Sequence, residues 1–225
     1  MRAAESPIRA VLFDFDGVIV NSMPGHARAW VRIFAEKGLD ITEEDVYLHE
    51  GRPTVDVAHV FLSRHGLPAE KQHCRALAAH KQAYYLSKPG GVVIFPEIVP
   101  IIESVVGRGI AAAVVTGSND EVVRRTLPKK LRSFFSAFVT ADDIKKGKPD
   151  PEPWLKAAEK LAVQPKACLV VENAPLGIQA ARAAGMRALA ITTTLQPEHL
   201  QGAEAVARNF DELARLIESR LNGEH

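Results

Sequence analysis

The sequence is poor in cysteine, in net charge and in long hydrophobic runs. Its 225 residues contain two cysteines and carry a formal net charge of +1. Two well-separated thiols do not make a disulfide framework and fit a reducing compartment. A nearly neutral chain gives no electrostatic reason to expect binding to nucleic acid or to a membrane. We therefore interpret Cys74 and Cys168 as buried packing residues.

Long apolar stretches are missing as well. The longest apolar runs lie near residues 111–115 and are far too short to span a bilayer. Residues 1–9 do not contain the apolar segment of a secretory leader. The chain shows neither internal repeats nor low-complexity tracts.

Because 47% of the residues are hydrophobic, a sizeable core can form. We expect a cytoplasmic protein that is a monomer or a weak homodimer.

Short apolar runs alternate with segments of helical length and pattern. Such runs suit strands that are buried on both faces, so the alternation predicts an α/β fold with a parallel sheet between two layers of helices. The predicted strands are residues 10–13, 111–115, 137–140, 167–171 and 187–191. The predicted helices are residues 98–107, 120–127, 153–161, 175–184 and 211–221.

One region interrupts this alternation. Residues 23–87 show apolar positions at helical spacing and no convincing strand. We predict an all-helical inserted domain here, while residues 1–22 and 88–225 form the core. A hinge is expected at SKPGG, residues 87–91. After a first helix around Trp30, the further helical segments are 43–49, 54–65 and 69–86.

Polar residues follow the predicted strands at the point where each strand ends. Ligands of an open parallel sheet bind beyond the carboxyl ends of its strands, so we expect these side chains to converge on one pocket. In chain order they are Asp14 and Asp16, then Thr116, Gly117, Ser118 and Asn119, then Lys146 and Lys148, then Glu172 and Asn173.

The acidic residues in this set suit phosphoryl transfer. One carboxylate can attack phosphorus and form an aspartyl-phosphate. A second, two residues further on, can protonate the leaving oxygen and later deprotonate water. Asp14, Glu172 and a carbonyl oxygen can hold Mg²⁺, which prefers oxygen ligands and lets an anionic nucleophile approach an anionic phosphate.

The remaining groups suit the phosphate itself. Lys148 supplies a positive charge opposite the transferring oxygens. Thr116 offers a hydroxyl, and the Gly117 and Ser118 amides lie near a helix start, which favours anions. Simpler interpretations stay open, since aspartates favour turns and residues 116–119 also suit a helix cap.

Four segments resemble the motifs of the haloacid dehalogenase superfamily, in the same order. They are FDFDGV (13–18), VTGS (115–118), KGKPDP (146–151) and VENAPLG (171–177). The resemblance implies a Rossmann-like core, a mobile cap and Mg²⁺. It also implies that Asp14 is the nucleophile, that Asp16 is the general acid and base, and that Thr116 and Lys148 bind phosphate. Asp16 argues against the metal-independent dehalogenase branch, which usually lacks it.

The helical insert resembles the four-helix cap of the β-phosphoglucomutase-like group. HARAW (26–30) is similar to a stretch whose histidine approaches the acid and base, and EGRP (50–53) is similar to a substrate-binding loop. The resemblance implies that His26, Arg52 and Lys81 contact the substrate. Trp30 is interpreted as a core residue. The histidines interpreted as helix-surface residues are His49, His59, His65, His73 and His80.

Two positions depart from these patterns. The fourth motif commonly carries two adjacent acids, whereas this chain has Glu172 and Asn173. Either the metal affinity is lower or Glu172 is the principal acidic ligand, and Asn173 offers a carbonyl oxygen. The predicted metal ligands are therefore Asp14, Asp16, Glu172 and Asn173. Phosphomutases of the β-phosphoglucomutase-like group tend to carry a lysine at the position of Asn119, so Asn119 favours a phosphatase. His26 and Arg52 favour a phosphomutase instead.

These observations predict a Mg²⁺-dependent phosphatase that acts on a small phosphorylated metabolite, foremost a sugar phosphate. One alternative is a hexose phosphate mutase, which returns the phosphoryl group to a second hydroxyl. Another is a non-catalytic phosphometabolite-binding protein that has kept the fold.

Overall fold

Six parallel strands form the central sheet of the computed structural model, which describes residues 6–88 and 92–223. The strands are β1 (Ala10–Asp14), β4 (Ala111–Val115), β5 (Ala137–Val139), β6 (Cys168–Glu172), β7 (Arg187–Ile191) and β8 (Ala205–Ala207). Their spatial order in the sheet is β5-β4-β1-β6-β7-β8. A separate antiparallel pair consists of β2 (Val20–Asn21) and β3 (Val93–Ile94).

Helices cover both faces of this sheet. Along β1, Val11 and Phe13 pack into one hydrophobic cluster and Leu12 into the other, because successive side chains of a strand point to opposite faces. The predicted α/β class with a Rossmann-like parallel sheet is thereby confirmed. The core helices are α5 (Ile98–Gly107), α6 (Asp120–Thr126), α7 (Lys129–Arg132), α8 (Glu152–Lys160), α9 (Pro175–Ala183) and α10 (Phe210–Leu221).

The four helices of the insert follow β2 and precede β3. They are α1 (Met23–Ala35), α2 (Glu43–Tyr47), α3 (Thr54–Arg64) and α4 (Lys71–Leu86). They share a hydrophobic cluster of their own, which includes Trp30, Phe34 and Phe61. We call this insert the cap. The division at residues 22/23 and 87/88 stays a prediction, and residues 89–91 of the expected hinge lie outside the described residues.

Three strands were not predicted from the sequence. The β2 and β3 segments have two residues each, and β8 has three residues at the edge of the sheet. Segments this short show no period that a sequence pattern can reveal. Both cysteines are buried and free, as expected. In the part of the chain that the structure describes, every helix is too short or too polar to cross a membrane.

Candidate active site

The strand ends bring the predicted residues together beneath the cap. Asp14 is the last residue of β1 and Glu172 the last of β6, while Thr116 directly follows β4. A cavity of about 660 Å³ opens here, a size typical of small-molecule sites. Thr116, Lys148 and Asn173 are buried next to this cavity. The predicted residues that line it are Asp14, Asp16, Gly117, Ser118, Glu172, His26, Arg52 and Lys81.

Lys148 joins the two carboxylates at the floor of the cavity. Its Nζ atom donates to Asp14 Oδ1 at 2.5 Å and to Glu172 Oε1 at 2.6 Å, and it lies 4.4 Å from the centre of the Trp154 ring. Burial alone would lower the pKa of Lys148, but the charges of Asp14 and Glu172 outweigh it and raise that pKa. The lysine is therefore a permanent positive charge beside Asp14.

Asp14 lies in a strongly perturbed environment. Burial raises the pKa of Asp14 well above its usual range, Lys148 opposes this shift, and the charges of Glu172 and Asp16 add to it. A nucleophilic carboxylate must be ionised. Further positive charge next to Asp14 would therefore favour its reactive form.

Glu172 is fixed in place by the start of α9. Its Oε2 atom accepts hydrogen bonds from the backbone N–H groups of Asn173 at 2.7 Å and Ala174 at 2.8 Å. Its Oε1 atom faces Lys148, so all three contacts orient the carboxylate toward the end of β1. Because both Glu172 oxygens already accept hydrogen bonds, its role as the principal acidic metal ligand stays a prediction.

Asp16 is surrounded by hydroxyl groups. Ser22 donates to Oδ1 at 2.5 Å, while Thr116 and Ser118 each donate to Oδ2 at 3.2 Å. The Ser118 backbone N–H donates to the Thr116 hydroxyl at 2.9 Å. These contacts hold Asp16 beside the predicted phosphate-binding residues. Since both Asp16 side-chain oxygens already accept hydrogen bonds, its predicted part in metal binding stays a prediction.

The oxygen atoms at the strand ends suit a hard divalent cation. Asn173 Nδ2 donates to Glu50 at 2.9 Å and to Thr194 at 3.1 Å, whereas Asn173 Oδ1 is buried without a donor among the described residues. Within residues 6–88 and 92–223 no three acidic, histidine or cysteine side chains form a ready-made metal cluster. The donor set of Asp14, Glu172 and Asn173 fits Mg²⁺ by its chemistry, because all three offer oxygen.

Two predicted substrate residues of the cap contact each other directly. Lys81 Nζ lies 2.6 Å from His26 Nδ1, and the His26 ring stacks on Tyr85 with 4.0 Å between the ring centres. Burial and the adjacent Lys81 charge lower the pKa of His26 to about 4, so at neutral pH the ring is uncharged and accepts from Lys81. Burial also lowers the pKa of Lys81 to about 8.

The loop between α2 and α3 packs onto the core beside Lys148. Gly51 has a φ angle of +87°, which favours glycine, and a β-carbon there would lie 3.0 Å from Lys148 Cδ. Arg52 follows with its Nε atom buried and without an acceptor among the described residues. Arg52 also lines the cavity, as predicted for a residue that contacts the substrate.

Several residues of the site were missed in the sequence. Glu50 is buried against Asn173, Ser22 holds Asp16, and Trp154 lies under Lys148. The interpretation of His49 as a helix-surface residue is wrong, since it follows α2, is partly buried and lines the cavity. Trp30 is a core residue as expected and also lines the cavity. Glu50 precedes Gly51 in a segment that had been singled out, and this position was the available signal.

Comparisons with known proteins agree with this geometry. The family model of haloacid dehalogenase-like hydrolases matches residues 8–185. The fructose-1-phosphate phosphatase YqaB of Escherichia coli is 34% identical over 180 residues, covering 80% of this chain and 94% of the relative. Hexitol phosphatase A of the same organism is 26% identical, covering 96% and 97%.

A solved structure shows the same fold. The putative beta-phosphoglucomutase of Bacteroides vulgatus superimposes with a TM-score of 0.86 at 32% identity, covering 96% of this chain and 90% of the other. The predicted membership in the haloacid dehalogenase superfamily and the predicted class of phosphoryl-transfer enzyme are confirmed. The alternative of a non-catalytic binding protein is set aside. The chain belongs to the haloacid dehalogenase-like hydrolase family and is a phosphoryl-transfer enzyme.

Proposed function

We propose that this enzyme is a Mg²⁺-dependent phosphatase that hydrolyses the phosphate ester of a small sugar or sugar alcohol. The observation that carries the proposal is that Asp14 and Asp16 open onto one cavity beneath the cap, with Lys148 bound to Asp14. The similarity to a fructose-1-phosphate phosphatase and a hexitol phosphatase supports the class of substrate.

The first half of the reaction transfers the phosphoryl group to Asp14. A side-chain oxygen of Asp14 attacks phosphorus, the ester bond to the leaving oxygen breaks, and Asp16 gives that oxygen a proton. The Ser22, Thr116 and Ser118 hydroxyls hold the Asp16 carboxyl beside the cavity. Lys148 stabilises negative charge on the transferring oxygens from a fixed position.

The second half returns Asp14 to its free state. Asp16, now ionised, takes a proton from a water molecule, whose oxygen attacks the phosphorus of the aspartyl-phosphate. The bond between phosphorus and Asp14 breaks, and inorganic phosphate is released. Because one carboxyl group acts as acid and then as base, each cycle returns it to the protonated form.

Asp14, Glu172 and Asn173 are the residues that would hold Mg²⁺. When bound, the ion reduces the repulsion between the anionic nucleophile and the anionic phosphate. Glu172 is positioned for this task by Lys148 and by the two N–H groups at the start of α9. Asn173 contributes the buried Oδ1 atom, which otherwise has no donor among the described residues.

The cap residues recognise the part of the substrate away from the phosphate. Arg52 has an unpaired buried Nε, and Lys81 lines the cavity with its ammonium bound to His26. Hydroxyl or anionic groups of a sugar are natural partners for these donors. Closure of the cap over such a substrate would exclude bulk water from the reacting atoms.

A phosphate-release assay over a panel of sugar and hexitol monophosphates, with and without Mg²⁺, tests this proposal. Asp14→Asn should abolish release while the exposed control Asp40→Asn keeps wild-type turnover. Full activity of Asp14→Asn would contradict the assignment of the nucleophile. Unchanged activity after chelation of divalent ions would contradict the use of Mg²⁺.

A mutase is the second candidate, favoured by the similarity to a putative beta-phosphoglucomutase. It would use the same aspartyl-phosphate but return the phosphoryl group to another hydroxyl of the sugar. Incubation with β-glucose 1-phosphate and a bisphosphate primer separates the two activities. Glucose 6-phosphate as product would support the mutase, and inorganic phosphate would support the phosphatase.

A further inference from the structure

Glu50 is a buried carboxylate that the cap places against the core. It is 7% exposed, and its Oε2 atom accepts a hydrogen bond from Asn173 Nδ2 at 2.9 Å. The adjoining loop is packed just as closely, since a β-carbon on Gly147 would lie 2.7 Å from Pro53 Cδ. The cap loop is therefore seated on the core next to the strand ends.

This contact leaves two oxygen atoms without donors. Glu50 Oε1 and Asn173 Oδ1 are both buried, and the described part of the chain provides no hydrogen-bond partner for either. Buried acceptors of this kind are destabilising and rare in folded proteins. Because the two side chains touch each other, a single ligand between them could satisfy both oxygens.

Negative charge accumulates around this pair. Asp14 and Glu172 are close enough to Glu50 for their negative charges to oppose a further negative charge on the Glu50 carboxylate. Lys148 already binds Asp14 and Glu172 and neutralises only part of this charge. An additional cation would relieve the excess, and a set of oxygen ligands favours a hard divalent ion.

We propose that Glu50 is a cap-borne ligand of the divalent-cation site formed by Asp14, Glu172 and Asn173. The inference rests on the proposed use of Mg²⁺. It assigns the missing second acid of the site to the cap, so that cation binding and cap closure become one coupled equilibrium. By linkage, the ion favours the closed cap by the same factor by which closure tightens binding of the ion.

The substitution Glu50→Gln distinguishes two roles of Glu50. The residue either binds the cation, or it only holds the cap on the core through its hydrogen bond to Asn173. Glutamine keeps an oxygen that can accept from Asn173 Nδ2 and removes only the negative charge. The matched control is Glu44→Gln, which neutralises another cap carboxylate that contacts the core. Glu44 pairs with His199 at 3.1 Å, is exposed and lies outside the lining of the cavity.

The primary measurement is the Kd of Mn²⁺, followed by electron paramagnetic resonance without substrate. Glu50→Gln should weaken Mn²⁺ binding by about tenfold to hundredfold, while Glu44→Gln keeps the wild-type Kd. The double variant E50Q/N173D should regain most of the affinity, because the core then supplies the carboxylate. A wild-type Kd in Glu50→Gln would overturn the proposal and leave the proposed phosphatase intact.

A measurement on the wild-type protein tests the coupling without relying on any variant. Small-angle X-ray scattering should show a more compact protein when Mn²⁺ is added, and E50Q/N173D should bind Mn²⁺ without this compaction. An unchanged wild-type profile despite Mn²⁺ binding would overturn the coupling. Failure of the wild-type protein to bind Mn²⁺ would instead contradict the proposed cofactor and, with it, this inference.

Discussion

Gly177 lies directly under the carboxylate of Glu172, in a place that no other residue type can occupy without moving that side chain. A β-carbon at position 177 would overlap the Glu172 carboxylate. Glu172 is held from its other sides by Lys148 and by the backbone N–H groups of Asn173 and Ala174. The glycine in the first turns of α9 is thus part of the support of the active site.

Gly177→Ala should therefore damage both stability and catalysis. The new methyl group displaces Glu172 in a closely packed interior, which costs about 1–3 kcal/mol. The same displacement should lower kcat about 10²-fold, since Glu172 no longer orients Lys148 and the cation site. Urea unfolding and a phosphate-release assay measure the two effects.

Gly107→Ala is the matched control for this substitution. Gly107 also lies in a helix, α5, but a β-carbon there would meet nothing within 4 Å. Alanine should leave activity unchanged and raise the free energy of unfolding by up to about 1 kcal/mol, because it favours helix more than glycine does. Equal losses in both variants would show that the Glu172 contact is not the cause.

Lys148→Met should have a stability defect that grows with pH. Without the lysine, Asp14 and Glu172 are left buried and unpaired, which costs about 3–5 kcal/mol when both are ionised. The pKa of Asp14 is already raised by burial, so as pH falls this carboxyl takes up a proton more readily in the folded state than in the unfolded state. The defect should be smaller at pH 5 than at pH 8.

Unfolding by urea at the two pH values measures this difference. Lys146→Met is the control, because Lys146 is exposed and pairs with the partly exposed Asp150 at the surface. Lys148→Met should also lose turnover by at least about 10²-fold, whereas the control keeps it. A defect independent of pH would contradict the electrostatic explanation.

Lys81→Met should remove one specific part of the pH dependence of stability. The pKa of Lys81 is lowered by burial from 10.5 to about 8 in the folded protein. Between these values the unfolded chain holds a proton that the folded chain has released, so stability rises with pH in this window. The wild-type free energy of unfolding should gain roughly 3 kcal/mol relative to Lys81→Met as pH rises from 8 to 10.5.

Denaturant titrations across this range provide the measurement. Lys37→Met serves as the control, since it removes an exposed cap lysine and keeps the pair of Lys81 and His26 intact. The control should retain the wild-type rise. Parallel stability curves for wild type and Lys81→Met would show that Lys81 does not release its proton in this range.

The sequence predicted best the places where a buried strand is followed directly by polar, reactive side chains. Five buried runs predicted five of the six sheet strands to within a residue or two, because parallel strands with both faces covered are nearly all apolar. The same runs located Asp14, Thr116 and Glu172 at or just beyond strand ends. Asn119 caps α6 with its side chain and also lines the cavity, so the helix-cap interpretation of its segment is confirmed, while phosphate binding there stays a prediction.

The contacts between cap and core were beyond what periodicity can reveal. Glu50 and Asn173 are 123 positions apart, and their contact depends on how the cap sits on the sheet. His49 was wrongly interpreted for the same reason: the helix before it ends at Tyr47, and His49 lies in the turn that follows and lines the cavity. Burial of a polar residue in a loop is set by packing between separate elements rather than by its neighbours in sequence.

Arg52 offers a test of how the cap selects its substrate. The buried, unpaired Nε of Arg52 should bind an oxygen of the substrate, and a hydrogen bond to a charged donor contributes about 1.5–3 kcal/mol. Arg52→Met should therefore raise KM for a sugar phosphate by about tenfold to hundredfold and leave the turnover of p-nitrophenyl phosphate unchanged, because that ester has no distal hydroxyl. Steady-state kinetics on both esters, with the exposed Arg64→Met as control, measure the difference. An equal loss of kcat/KM on both esters would show that Arg52 supports the reacting groups and does not bind the sugar.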